Sequence, residues 1–140
     1  MIEFEPITVG LEGTEPVSAL LGAPTSPLAC FVFAHGAGAG MAHAFMTAMA
    51  ELLAERRIAT LRFQFPYMER GSKRPDSPAV ARAAVRGAVA EAARRLPGVP
   101  LFAGGKSFGG RMSSQAQAEV PLAGVRGLIF VGFPLHPAGK

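Results

Sequence analysis

The stretch "GGKSFGGR", Gly104–Arg111, decides the fold. Gly105-Lys106-Ser107 reads as the end of a phosphate-binding loop. Gly105-Lys106-Ser107-Phe108-Gly109 reads equally as G-x-S-x-G, the sharp strand-to-helix turn that exposes a serine hydroxyl. A phosphate loop requires a glycine five positions before Gly105, because backbone amides between the two wrap the phosphates. That position is Pro100, and Leu101–Gly104 is mostly apolar strand. No flexible loop is left to hold a phosphate, and no later strand ends in an aspartate suited to Mg²⁺. The serine turn fits instead. Its neighbours must be small to avoid clashes, and Gly105 and Gly109 are, with Gly104 and Gly110 adding room.

Chemistry at Ser107 also needs donors for the oxyanion that forms when a hydroxyl attacks a carbonyl. The Phe108 amide, at the start of the following helix, is one. The second is expected from a loop after an earlier strand, and "HGAGAG" (His35–Gly40) lies there. The Ala37 amide is the candidate, with Gly36 and Gly38 allowing close backbone approach. The loop is not a dinucleotide fingerprint, since Met41 stands where a third glycine is required. His35 precedes the serine, the wrong order for a Ser…acid…His hydrolase, and is read as a loop anchor. His43 is read as a surface or capping residue. Arg62, Tyr67, Lys106 and His136 are candidates for the pocket. Lys106 and Arg111 suit either an anionic substrate or solvent.

Working outward, strands and helices alternate. Ile7–Leu11 and Val17–Leu21 form an expected hairpin. "LACFVFAH" (Leu28–His35) has the continuous apolar character of a strand buried on both faces. A helix is expected from about Ala42 to Arg57, with Phe45, Met46, Met49, Leu52 and Leu53 at helical spacing. "IATLRFQF" (Ile58–Phe65) is the next strand, with Phe63 and Phe65 in the core, and a polar loop runs on to Asp76. Ser77 and Pro78 open a helix whose buried face is Ala81, Ala84, Val85, Ala88, Val89, Ala92 and Leu96. "VPLFAG", the turn, a helix to about Glu119 and a last strand in "VRGLIFVGFP" (Val125–Pro134) follow. This alternation predicts an α/β fold, a mostly parallel sheet with helices on both faces, in a single domain over residues 1–140.

Composition narrows the function. Nearly half the residues are apolar and only 17% are charged, which excludes a disordered chain. The net charge of +4 invites a nucleic-acid reading. However, Arg82, Arg86, Arg94 and Arg95 fall on the polar side of one helix, where they are expected to be solvated. Only Arg70, Lys73 and Arg74 cluster, so no nucleic-acid partner is expected. Apolar runs are too short to span a bilayer, and no membrane partner is expected. The lone Cys30 sits in an apolar run, consistent with a reducing, cytoplasmic location.

Together "HGAGAG", "LRFQFPYMERGSKRPD", "GGKSFGGRMSS" and "GFPLHPAGK" resemble α/β-hydrolases of the dienelactone-hydrolase-like group. That group includes testis-expressed protein 30 and the hydrolase-like region of nonspecific-lethal complex subunit 3. The resemblance runs from about Leu28 onward. It implies an α/β-hydrolase fold, Ser107 as nucleophile, His35–Gly38 near the oxyanion hole and no metal or organic cofactor. The expected activity is hydrolysis of a small ester or related acyl compound through an acyl-serine. The alternative is a non-catalytic hydrolase-like module that binds a protein or small ligand. Relatives continue past "PLHP" into strands carrying the acid and the histidine of the triad. After Ser107 this sequence offers only Glu119 and His136. The chain is therefore expected to be truncated before the last strands, inactive alone, and prone to self-association through an exposed sheet edge.

Overall fold

The computed structural model describes residues 2–132. Its strands are β1 (Glu5–Leu11), β2 (Thr14–Gly22), β3 (Ala29–Ala34), β4 (Ile58–Phe63), β5 (Leu101–Lys106) and β6 (Val125–Val131). Its helices are α1 (Ala44–Glu55), α2 (Pro66–Glu69), α3 (Pro78–Arg95) and α4 (Phe108–Glu119). The strands form one sheet in the order β1-β2-β4-β3-β5-β6. β1, β2 and β4 pair antiparallel, and β4, β3, β5 and β6 run parallel. The apolar run in β3 is explained by this order: it lies inside the sheet, and Phe31–Ala34 are all buried.

Successive residues of β3 serve opposite faces, following the two-residue period of a strand. Cys30, Val32 and Ala34 join Leu61, Phe63, Leu101 and Ala103 under α3 and α4. Phe31 and Phe33 stack at 4.8 Å and meet Met46 of α1 on the other face. Full burial of each such side chain contributes about 1.5–3 kcal/mol. α3 buries Ala81, Ala84, Val85, Ala88, Val89 and Ala92 as its spacing predicts, and Ser77 caps its start by accepting from the Val80 amide.

Several expectations are corrected. β4 ends at Phe63, and Pro66–Glu69 forms a helical turn where a polar loop was expected. Asp76 causes it: its Oδ2 accepts from the Tyr67 amide at 3.0 Å and satisfies an otherwise free helix-start donor. Leu52, expected on the inner stripe of α1, is 56% exposed. The arginines of α3 are not merely solvated. Arg82 and Arg86 pair with Glu119 at 3.4 and 3.3 Å, and Arg86 also donates to the Ala116 and Val120 carbonyls at the end of α4. Arg94 and Arg95 both bind the buried Glu91. Burial raises that carboxyl, but the hydrogen bonds from Arg95 and Arg94 outweigh it and leave Glu91 below its ordinary value.

Candidate active site

Ser107 follows β5 and caps α4 with φ 53° and ψ −111°. A β-carbon makes positive φ costly, by about 1–3 kcal/mol at a strained position, so surrounding structure must impose it. Gly105 and Gly109 show how. A β-carbon at Gly105 would collide with the Ala34 carbonyl, and one at Gly109 would lie 2.5 Å from the carbonyl oxygens of both Ala34 and His35. These glycines let β5 and α4 press against the end of β3, leaving Ser107 at the apex of the turn. Its backbone is pinned by a 3.3 Å bond to the Val131 carbonyl and by the Arg111 amide donating to its own carbonyl at 3.0 Å. Its hydroxyl has no hydrogen-bond partner among the described residues.

The loop after β3 meets this turn directly. A β-carbon on Gly36 would sit 3.7 Å from the Ser107 β-carbon and 3.3 Å from the Lys106 carbonyl oxygen. Ala37 and Gly38 are exposed beside it. Among the described residues, neither the Ala37 amide nor the Phe108 amide donates to a protein acceptor. Gly38 adopts φ 88° to turn the chain away.

His35 is buried and uses both ring nitrogens. Nε2 accepts from the Phe65 amide at 3.0 Å, which requires the proton on Nδ1, and Nδ1 donates to the Gly36 carbonyl at 2.8 Å. The ring is therefore an anchor for the loop and offers no free nitrogen to Ser107. Burial lowers its pKa from the ordinary 6.5, with the Gly36 bond and the charge of Asp76 opposing. His43 caps α1, accepting from the Phe45 amide at 3.2 Å. Glu119 is held in the ion pairs to Arg82 and Arg86. His136 lies outside the described residues.

The other pocket candidates are dispersed. Arg62 is buried beneath α1, donating to the Met41 carbonyl and Thr47 Oγ1, both at 3.0 Å, and stacking over Phe4 at 4.7 Å. It is closed to any ligand at Ser107 in this structure. Tyr67 is also fully buried, packed near Phe108 and His35. Burial raises its phenol, whose oxygen lies toward the Gly38 amide but outside hydrogen-bonding geometry. Lys106 stays beside the turn, its ammonium 5.6 Å above the Phe45 ring and without a carboxylate partner among the described residues. Asp76 and Gln64 were missed by sequence reasoning; a carboxylate just ahead of the Ser77-Pro78 helix start was the one available signal for the former. Among the described residues no cluster of three or more His, Cys, Asp or Glu could hold a metal ion, and no helix is long and apolar enough to cross a membrane. Clefts of about 450 and 600 Å³ run along α3, but their polar lining is dominated by arginines already bound to Glu119 or Glu91.

Residues 27–140 match the family described as the alpha/beta hydrolase domain. The chain belongs to that family. Solved structures share the fold. A dienelactone hydrolase from Anabaena variabilis superposes with a TM-score of 0.81 at 20% identity, over 92% of this chain and 62% of its own. An alpha-beta serine hydrolase homologue from Coxiella burnetii gives 0.77 at 18% identity, over 96% and 65%. The Thermus thermophilus protein TT1662 gives 0.69 at 29% identity, over 100% and 62%. The α/β-hydrolase chain thus spans less than two thirds of the length of each. No match was found among curated protein sequences.

Proposed function

We propose that this α/β-hydrolase carries the nucleophile and oxyanion loop of a cytoplasmic, cofactor-free serine hydrolase acting on a small ester or related acyl compound, in the group that includes testis-expressed protein 30. The observation that carries the reading is Ser107 at positive φ between β5 and α4, with Gly36 packed against it. In this scheme Ser107 Oγ attacks the acyl carbon while its proton passes to a base. The Ala37 and Phe108 amides hold the resulting oxyanion, and its collapse expels the alcohol and leaves an acyl-serine that water hydrolyses. His35 and Gly38 shape the loop, and Gly105 and Gly109 the turn. The base comes from outside residues 2–132, because both described histidines are committed elsewhere. Residues 1–132 alone are accordingly inactive in this proposal.

That commitment of His35 and His43 also favours a second reading, a hydrolase-like module that binds a ligand or protein without turnover. Turnover of a p-nitrophenyl ester series by the full-length protein separates the two. Hydrolysis abolished by Ser107→Ala supports the enzyme, and none above the Ser107→Ala background supports the module.

A further inference from the structure

Beyond the end of β4 the chain runs on through Gln64, whose amide still donates to the Ser18 carbonyl of β2 at 2.9 Å, to Phe65, and this short segment touches the loop of residues 35–41 at both ends. At the start, the Phe65 amide donates to His35 Nε2 at 3.0 Å. At the far end, Gln64 Oε1 accepts from the Met41 amide at 2.8 Å, and Arg62 Nη1 donates to the Met41 carbonyl at 3.0 Å. Both backbone polar groups of Met41 are therefore held by side chains two residues apart, which the strand period places on one face. The amide oxygen of Gln64 is fixed by chemistry, since a backbone N–H can only donate. Gly40 is shaped to this contact: a β-carbon there would lie 2.6 Å from Gln64 Oε1. Arg62 in turn is fixed by Thr47 of α1 and by Phe4. The ends of the loop are pinned, while Ala37 between them is exposed and its amide has no protein acceptor among the described residues.

We infer that Gln64 and Arg62 are positioning residues that set the Ala37 amide against Ser107 by clamping Met41. They touch neither the reacting atoms nor Ser107; they fix where the loop ends, and the short chain between its pinned ends then determines where its amides stand. The inference rests on the proposed role of Ala37. A misplacement of about 1 Å at a reacting site can cost on the order of 10²-fold in rate, so even a partial release of the loop is measurable.

The test compares Gln64→Leu with Gln64→Glu in the full-length protein. Glutamate keeps an acceptor for the Met41 amide beside Arg62, and leucine keeps only the bulk. Three quantities are read: thermal midpoint, kcat and KM on p-nitrophenyl butyrate, and hydrogen exchange of the peptide spanning residues 36–41. Gln64→Leu is expected to lower kcat by about tenfold or more, with KM within about twofold, and to accelerate exchange across the loop. Gln64→Glu is expected to recover most of both. Equal defects in the two variants, or unchanged kcat and exchange in a folded Gln64→Leu protein, would overturn the clamp. Arg62→Lys, which keeps one donor, provides a second variant should Gln64→Leu not fold. If the wild type shows no Ser107-dependent turnover, the hydrolase reading fails and exchange alone decides the clamp: faster in Gln64→Leu and unchanged in Gln64→Glu if it holds.

Discussion

Replacing Ser107 with glycine should make the protein more stable. The residue sits at φ 53° and ψ −111°, where a β-carbon clashes with its own backbone. Relief of such strain is worth about 1–3 kcal/mol. Glycine also loosens the unfolded chain, which takes back about 0.4–1 kcal/mol. The hydroxyl that is lost makes no hydrogen bond among the described residues, so its removal costs little. Ser107→Ala isolates that part, since alanine loses the hydroxyl but keeps the β-carbon. The net advantage of glycine over alanine is therefore about 1–2 kcal/mol, or roughly 3–8 °C in thermal midpoint for a domain of this size. Urea unfolding of the two variants measures it directly, with the slope against denaturant confirming that the same surface is exposed. Equal stability of the Ser107→Gly and Ser107→Ala proteins would mean that the turn is not strained. The fold would then hold Ser107 in place at no local cost, contrary to the reasoning from its backbone angles.

Other outcomes follow from the same contacts. His35 is buried neutral with a lowered pKa, so the unfolded state takes up a proton first as pH falls; stability should be complete above about pH 6.5 and decline below it, by up to about 1.4 kcal/mol per pH unit until the folded pKa is reached. Urea midpoints at pH 7.5 and 5.5 check this, and His35→Gln should flatten the slope. Arg86→Met leaves the Ala116 and Val120 carbonyls without their donor and Glu119 with one arginine fewer, and should cost about 1–3 kcal/mol by urea unfolding. Ala37→Pro removes the proposed oxyanion donor and should lower kcat of the full-length protein by about 10²–10³, with unchanged kcat moving the donor elsewhere in the loop. Among the described residues β6 is an edge strand, with Ile129 41% exposed, and residues 1–140 should self-associate through it. Light scattering across a concentration series tests this, a concentration-independent monomer being the contrary result.

The parallel core of the fold was legible because its signals are local. Unbroken apolar residues in β3, the Ser77-Pro78 start of α3 and the glycines around Ser107 each state their own geometry. What escaped depends on partners distant in sequence. The α2 turn is only four residues long and is capped by Asp76, nine residues beyond the Tyr67 amide it binds. Glu91 is buried because two arginines of its own helix fold onto it, and a lone glutamate gives no hint of that. Strand period places Arg62 and Gln64 on one face, but which face, and that a loop end would dock there, depends on how β4 pairs with β3. The adjacency of Gly36 and Ser107 sits between these cases. Each glycine-rich loop was visible alone, and a parallel pairing of β3 with β5 brings them together.

The central claim is that Ser107 is the nucleophile and that its base lies beyond residues 2–132. Fluorophosphonate labelling followed by peptide mass analysis tests both parts at once, on residues 1–132, on the full-length protein, and on Ser107→Ala versions of each. The expected result is an adduct on Ser107 in the full-length protein, none in its Ser107→Ala form, and none on residues 1–132. Labelling of residues 1–132 at Ser107 would place a working base within them and contradict the account of the missing proton acceptor. A full-length protein that is folded yet unlabelled at Ser107 would contradict the nucleophile itself.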